Sequence, residues 1–329
     1  MERALQAVRP YWPQIILLVA LWVGLGSTTE LFRGTSGVYS VLLNFSLLGL
    51  VAVGAAVTMI AAELDVSVAA SAAVGGALTV RLVNLGTGVL VAIIAATATM
   101  ALFGCMQGLL IARLRINSLV VTVGTLVLLG GVSFQLCGGQ PLSVESLKDT
   151  AFLLDRWGPF LSPDIVAAIG VFIMLAFYLA FTRWGREVYA IGGAREEAIA
   201  AGVSLIRPIT FAFGTSAGCA ALAGSLASLK VGAITPNAYG TLLLGAISAA
   251  LVGGISLVGG RGTVLHVAFG VVILGMVSSG LNAHGATDDV IQLFTGLILF
   301  AVVLLEYAAG RFATRAVQRR SSASALVRA

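Results

Sequence analysis

The chain has 329 residues, of which 59% are hydrophobic and only 10% charged, with 40 glycines and a mean hydropathy of +1.03. That composition excludes an ordinary soluble domain and describes a polytopic membrane protein. A formal charge of +5 would suit nucleic acid, but the arginines flank apolar runs and form no patch with interleaved aromatics, so a nucleic-acid partner is set aside.

Ten apolar runs follow in chain order, at roughly 12–26, 38–62, 66–82, 87–111, 117–137, 163–182, 208–230, 241–256, 263–283 and 290–308. They predict an all-α fold, a single transmembrane domain over 1–329 in contact with membrane lipid. The first run lies behind Arg3 and Arg9 like a secretory signal, yet no small-x-small cleavage site follows Gly26, and Tyr11-Trp12 reads as an interfacial anchor. It is therefore taken as a span. Ten alternating crossings with the N-terminus in the cytoplasm put fourteen basic residues inside, among them Arg113, Arg115, Arg183, Arg186, Arg195, Arg207, Arg261 and the C-terminal arginines. Only Arg33, Arg81, Lys148, Arg156 and Lys230 fall outside. The bias places both termini and the 182–208 loop in the cytoplasm. The longest external connection, Gly138 to Pro163, carries Glu145, Asp149, Asp155 and Trp157 and reads as an outer cap or small helix. Gly104-xxx-Gly108 and Gly214-xxx-Gly218 let helix backbones approach and predict a tight bundle. The stretches 38–137 and 208–308 share one pattern of long span, break and hairpin, the mark of an internal repeat as in many transport proteins.

Charge and helix propensity concentrate between Thr182 and Pro208. Gly192-Gly193 should break the chain; Ala194 to Ala201, with Arg195, Glu196, Glu197 and Ala198, should form a short helix; Gly202 should stop it. Eight residues make a rod about 12 Å long, too short to cross a bilayer and long enough to dock into a groove on another protein. A solvated helical linker is the alternative. At Glu63-Leu64-Asp65-Val66-Ser67-Val68, Asp65 suits an N-cap on the third span, with a place on a transport path or in a solvated turn as the other readings. The double glycines Gly253-Gly254 and Gly259-Gly260, followed by Arg261, interrupt any helix and read either as a plain turn or as a hinge or packed backbone.

Lys148 and Lys230 stand in the contexts LKDT and LKVG, neither of which is a phosphate-binding loop, so the chain is not expected to hydrolyse ATP by that chemistry. Cys105, Cys137 and Cys219 are single and read as small buried hydrophobes, while His266 and His284 are isolated. With no HExxH, nucleophile elbow or paired intramembrane acids, no catalytic, metal or cofactor site is expected.

A series of motifs then carries a resemblance. It runs through Glu63 to Val68, Ser118-Leu119-Val120-Val121-Thr122-Val123-Gly124-Thr125, Gly138-Gly139-Gln140-Pro141, Arg183-Trp184-Gly185-Arg186, Tyr189 to Gly193, Ala201-Gly202-Val203, Gly253 to Gly262, and Gly280-Leu281-Asn282 with Gly285. In that order and spacing, the chain resembles the permease subunits of ribose-type bacterial ABC sugar importers over nearly its whole length. The resemblance implies a type II-like importer permease of the bacterial inner membrane that works as a homodimer or with a close homologue. It also implies ATP on a separate ATP-binding subunit, a periplasmic or extracellular solute-binding protein, and a monosaccharide or similar polyol as cargo. It makes Gly193 to Gly202, with Glu196 and Glu197, the helix that receives the ATPase stroke. Permeases for branched-chain amino acids or nucleosides are the near alternative, and an ion-coupled carrier working alone is the distant one.

Overall fold

The computed structural model describes residues 11–146, 148 and 150–304. The expectations placed on Arg3, Arg9, Asp149, both termini and the end of the 290–308 run lie outside those residues.

Each predicted run overlaps a helix, with ends moved by up to three residues. In chain order they are α1 (Trp12–Thr28), α2 (Thr35–Ile60), α3 (Val68–Asn84), α4 (Val89–Leu114), α5 (Ser118–Cys137), α6 (Pro163–Phe181), α7 (Arg183–Gly193), α8 (Arg195–Ala200), α9 (Ile206–Val231), α10 (Leu242–Gly253), α11 (Val264–Ala283) and α12 (288–304). Six of them (α2, α4, α5, α6, α9 and α11) are long and apolar enough to cross a bilayer, and α1, α3 and α10 are shorter apolar helices. The boundaries follow local chemistry. Asn117 accepts from the Leu119 amide at 2.8 Å to start α5, Pro163 opens α6, and Gly138 and Gly232 close α5 and α9 at φ +65° and +79°. One feature has no counterpart in the sequence pattern: α2 passes through a π-helical turn at Phe45–Gly49.

The chain winds around α9, which packs against α2, α3 and α4. Glycine makes the closest of these approaches possible. A Cβ on Gly108 of α4 would come within 2.8 Å of the Ile209 carbonyl of α9, and one on Gly214 of α9 would meet the Cys105 sulfur. The two small-residue motifs thus interlock with each other, as tight packing in lipid requires. Thr79 and Ser225 tie α3 to α9 by a buried hydroxyl pair 2.7 Å apart. Cys137 and Cys219 are buried, as expected, and Cys105 is half-buried.

At the end of the bundle opposite α7 and α8, the long connection after α5 folds into a cap. Its core is a strand pair, β1 (Leu142–Ser143) antiparallel to β2 (Ala233–Ile234), with a 3-10 turn at Ala151–Leu154. The expected small helix is therefore only part of it, because β2 leaves α9 extended and offers β1 a free edge.

Candidate functional site

The sequence pattern placed a break at Gly192-Gly193, but Arg183–Gly193 forms one helix that runs through both glycines. Thr182 caps α7, its hydroxyl accepting from the Gly185 amide at 3.0 Å. Gly185, Val188, Ile191 and Gly192 form a buried stripe at helical spacing, whereas Arg183, Trp184 and Arg186 are exposed, so α7 lies across the end of the bundle. The break falls at Ala194 (φ −155°, ψ 78°), not at the double glycine. Glycine in a helix costs roughly 1 kcal/mol relative to alanine, and packing is its use here. A Cβ on Gly192 would collide with the Ile60 carbonyl and come within 2.8 Å of the Gly260 amide.

The next helix, α8, is shorter than the predicted Ala194–Ala201 and ends where Gly202 takes φ +87°. Six residues give a rod about 9 Å long. Ala198 is buried, and Glu196, Glu197, Ile199 and Ala200 form an exposed face, continued by Ala201 and Gly202. Arg195 does not belong to that face. Its guanidinium turns back and donates to Glu63 at 2.7 Å and to the Ala61 carbonyl at 3.4 Å, fixing α8 to the end of α2.

The second double glycine enters the same joint. Gly260 donates its amide to the Ile60 carbonyl at 2.8 Å, and Gly259 packs on Ala62 and on the Gly192 carbonyl. Both glycines sit at positive φ, +90° and +67°, where a side chain would be strained. Tyr189 of α7 donates its hydroxyl to the Gly262 carbonyl at 2.9 Å, and burial raises that phenol above its ordinary value, so it stays a donor. Arg261 is exposed, as are Leu257 and Val258 at the tip of this loop. The first double glycine does something else. Gly254 closes α10 in the left-handed region at φ +112°, while the Gly253 carbonyl accepts from Gln14 of α1 at 2.8 Å and its Cα abuts the His266 carbonyl of α11. His266 is a packed residue, bonded to Thr263 at 2.8 Å and with its ring tilted at 47° against Tyr11.

Asp65 faces away from this joint. The cap position of α3 is Ser67, whose own side chain makes no capping bond. Asp65 acts two residues upstream, accepting from the Ser67 amide at 2.9 Å and hydroxyl at 2.6 Å with one oxygen and from Ser216 of α9 at 2.7 Å with the other. It is 2% exposed. A solvated turn is thereby excluded, and the predicted N-cap is corrected to a buried bracket that shapes the link and holds it to α9.

One charged pair escaped sequence reasoning. Asp164, in the first turn of α6, accepts from Lys230 of α9 at 2.9 Å, from Ser46 in the π-helical turn at 2.7 Å and from Ser162 at 2.5 Å. Lys230 and Ser46 lie 66 and 118 residues from it, and no local pattern signals them.

The described residues thus form a multi-pass helical bundle that carries a short exposed helix fastened at one end. Residues 37–303 match the family described as branched-chain amino acid transport system / permease component, and the chain belongs to that family. It is 27% identical over 296 residues to the ribose import permease protein RbsC of Escherichia coli strain K12, covering 89% of this chain and 92% of that protein. It is 28% identical over 303 residues to the fructose import permease protein FrcC of Rhizobium meliloti, covering 89% and 82%. It is 31% identical over 303 residues to the autoinducer 2 import system permease protein LsrC of Salmonella typhi, covering 89% and 84%. No solved structure matches it.

Proposed function

We propose that this chain is the transmembrane subunit of an ATP-driven importer for a monosaccharide or similar small polyol, in a bacterial cytoplasmic membrane. The observation that carries the reading is α8. One side of it is fastened to α2 by Arg195 and Glu63, and the other presents Glu196, Glu197 and Ile199 to a partner. An ATP-binding subunit docks on that face from the cytoplasm, a solute-binding protein delivers cargo at the opposite end, and a second permease copy or close homologue completes the path. The import functions printed for the ribose, fructose and autoinducer 2 relatives support a sugar-like cargo.

In this reading α1 to α6 and α9 to α12 cross the membrane alternately, ten crossings in all, with both termini and α7–α8 in the cytoplasm. The positive-inside bias supports that orientation. A repeat of the two halves is supported by the 26-residue helices α2 and α9, each followed by a link and a shorter helix, α3 and α10. Residues Gly259 to Arg261 act as the joint through which movement of α8 reaches the spans.

The test is uptake of ribose, arabinose, fructose and leucine into proteoliposomes holding the permease, its ATP-binding subunit and its binding protein. ATP-dependent sugar uptake is expected. Uptake driven by a sodium or proton gradient, without the ATPase, would sink the reading.

A further inference from the structure

At the end of the bundle opposite α8, the helices α2, α10, α11 and α12 line an open-mouthed cavity of about 290 Å³. Its polar side chains are Asn44, Thr241, Ser278, Gln292 and Thr295, amides and hydroxyls without a single charge among the lining residues. Asn44 is held in place by both of its amide hydrogens, which go to the Ser40 carbonyl at 3.2 Å and the Ser279 hydroxyl at 3.1 Å. Its carbonyl oxygen is what it has left to offer, as an acceptor. Glycine makes the room. Gly240, Gly245 and Gly296 line the space, and a Cβ on Gly245 would come within 3.2 Å of Leu48. The π-helical turn at Phe45–Gly49 borders the cavity and contributes Leu47 and Leu48 to its wall, and such turns are frequent at functional sites.

We propose that this cavity is a transient binding site for an uncharged polyhydroxylated solute on its way through the permease; the proposal rests on the transport reading above. A sugar presents hydroxyls around its rim and C–H groups on its faces. The cavity answers the first with neutral donors and acceptors and the second with Leu47, Leu48 and Leu274. Its volume is near the lower end of small-molecule pockets, roughly 300 Å³, which suits a monosaccharide and not an oligosaccharide. A zwitterionic amino acid would have to shed water from two charges with no opposite charge among the lining residues to meet them, which is costly. The neighbouring cavity of about 240 Å³, walled by Ser46, Asp164 and Lys230, does hold charges, but its carboxylate and ammonium already bind each other at 2.9 Å. Neutral hydrogen bonds also suit passage, because a conducting site must bind well enough to admit the solute and weakly enough to release it.

The experiment uses the complete importer in proteoliposomes with ribose, arabinose, fructose and their deoxy analogues as probes. Thr241→Val keeps side-chain shape while removing a hydroxyl, and Gln292→Leu falls on an exposed residue, so both variants should fold. Together they are expected to lower sugar uptake at least ten-fold and to shrink the preference for each sugar over its deoxy analogue, while ATP hydrolysis stimulated by the loaded binding protein stays within two-fold of wild type. Unchanged uptake and preference overturn the proposal. A parallel loss of stimulated ATP hydrolysis also overturns it, because the side chains would then serve coupling and not solute contact. In a background with Cys105, Cys137 and Cys219 replaced, Gln292→Cys should react at least three-fold more slowly with a small thiol reagent when the imported sugar is present, and equal rates count against the site. If the wild-type complex imports none of the probes with ATP, the transport reading itself has failed, a result distinct from all of these.

Discussion

Gly192→Ala adds one methyl group at the point where α7, the end of α2 and the glycine loop meet. The new Cβ would lie against the Ile60 carbonyl and 2.8 Å from the Gly260 amide, on the hydrogen bond that joins those two groups. Overpacking of this kind costs about 1–3 kcal/mol, and an amide stranded without its acceptor costs about 1–3 kcal/mol more. The closed joint should therefore lose ~2–6 kcal/mol, a population shift of at least about thirty-fold at 1.4 kcal/mol per decade. Gly193→Ala is the control, because its Cβ would meet only the Gly260 Cα at 3.7 Å, an ordinary contact. ATP-dependent uptake and stimulated ATP hydrolysis in proteoliposomes, with thermal unfolding of the purified permease alongside, separate the two. Gly192→Ala should insert normally and lose coupled transport, and Gly193→Ala should behave as wild type. Wild-type transport by Gly192→Ala would refute the idea that the joint must close to transmit force.

Four further outcomes are expected. Asp65→Asn keeps an acceptor for Ser67 and should transport nearly normally, whereas Asp65→Ala strands the Ser67 amide and the Ser67 and Ser216 hydroxyls and should lower the yield of folded protein by a cost of about 1–3 kcal/mol per buried group; loss of uptake by the Asn variant at normal yield would show that the charge itself matters. Ala198→Pro removes the bond from the Ala198 amide to the Ala194 carbonyl, 2.9 Å long, at a local cost of about 3 kcal/mol, and should abolish uptake without affecting insertion; normal uptake with the ATPase bound would reduce α8 to a linker. Lys230→Met leaves a buried Asp164 carboxylate uncompensated and should destabilise the bundle by about 3–5 kcal/mol, with Lys230→Met/Asp164→Asn recovering most of the melting temperature; no recovery would mean that the two side chains act independently. Single cysteines at the exposed Ser204 and Ser146 report topology in intact cells, and an impermeant thiol reagent should label only the second.

Most of the helices were legible in the sequence because bilayer spans are long apolar runs and their ends are punctuated by glycine, proline and asparagine, as at Asn117, Gly138 and Gly202. The joint was half legible. Its three motifs stand out separately, but the pairings that unite them, Arg195 with Glu63 and Gly260 with Ile60, span 132 and 200 residues and leave no periodic trace. The double glycine at 192–193 misled for a definite reason. Local propensity counts glycine as a helix breaker, whereas Gly192 is there because nothing larger fits against the Ile60 carbonyl. Asp65 was read as an N-cap, a local role, whereas its bond to Ser216 on α9 depends on tertiary packing alone. The π-helical turn in α2 likewise has no sequence signature among its five residues, FSLLG.

The shortness of α10 has a mechanical consequence. Its first turn walls the neutral cavity, and its last residue leads into the loop that Gly260 fixes to Ile60, so a single twelve-residue rod spans the distance between them. A displacement of about 2 Å at one end of a rod about 18 Å long tilts it by roughly 6°. The helix α2 runs between the same two places, from Asn44 at the cavity to Ile60 at the joint, but the π-helical turn interrupts its regular hydrogen bonding near the top. One wall of the cavity is thus carried on a stiff strut and the facing wall on a strut with a built-in flexure. A single push at α8 would move the two walls by unequal amounts, and the cavity would change shape instead of travelling as a block.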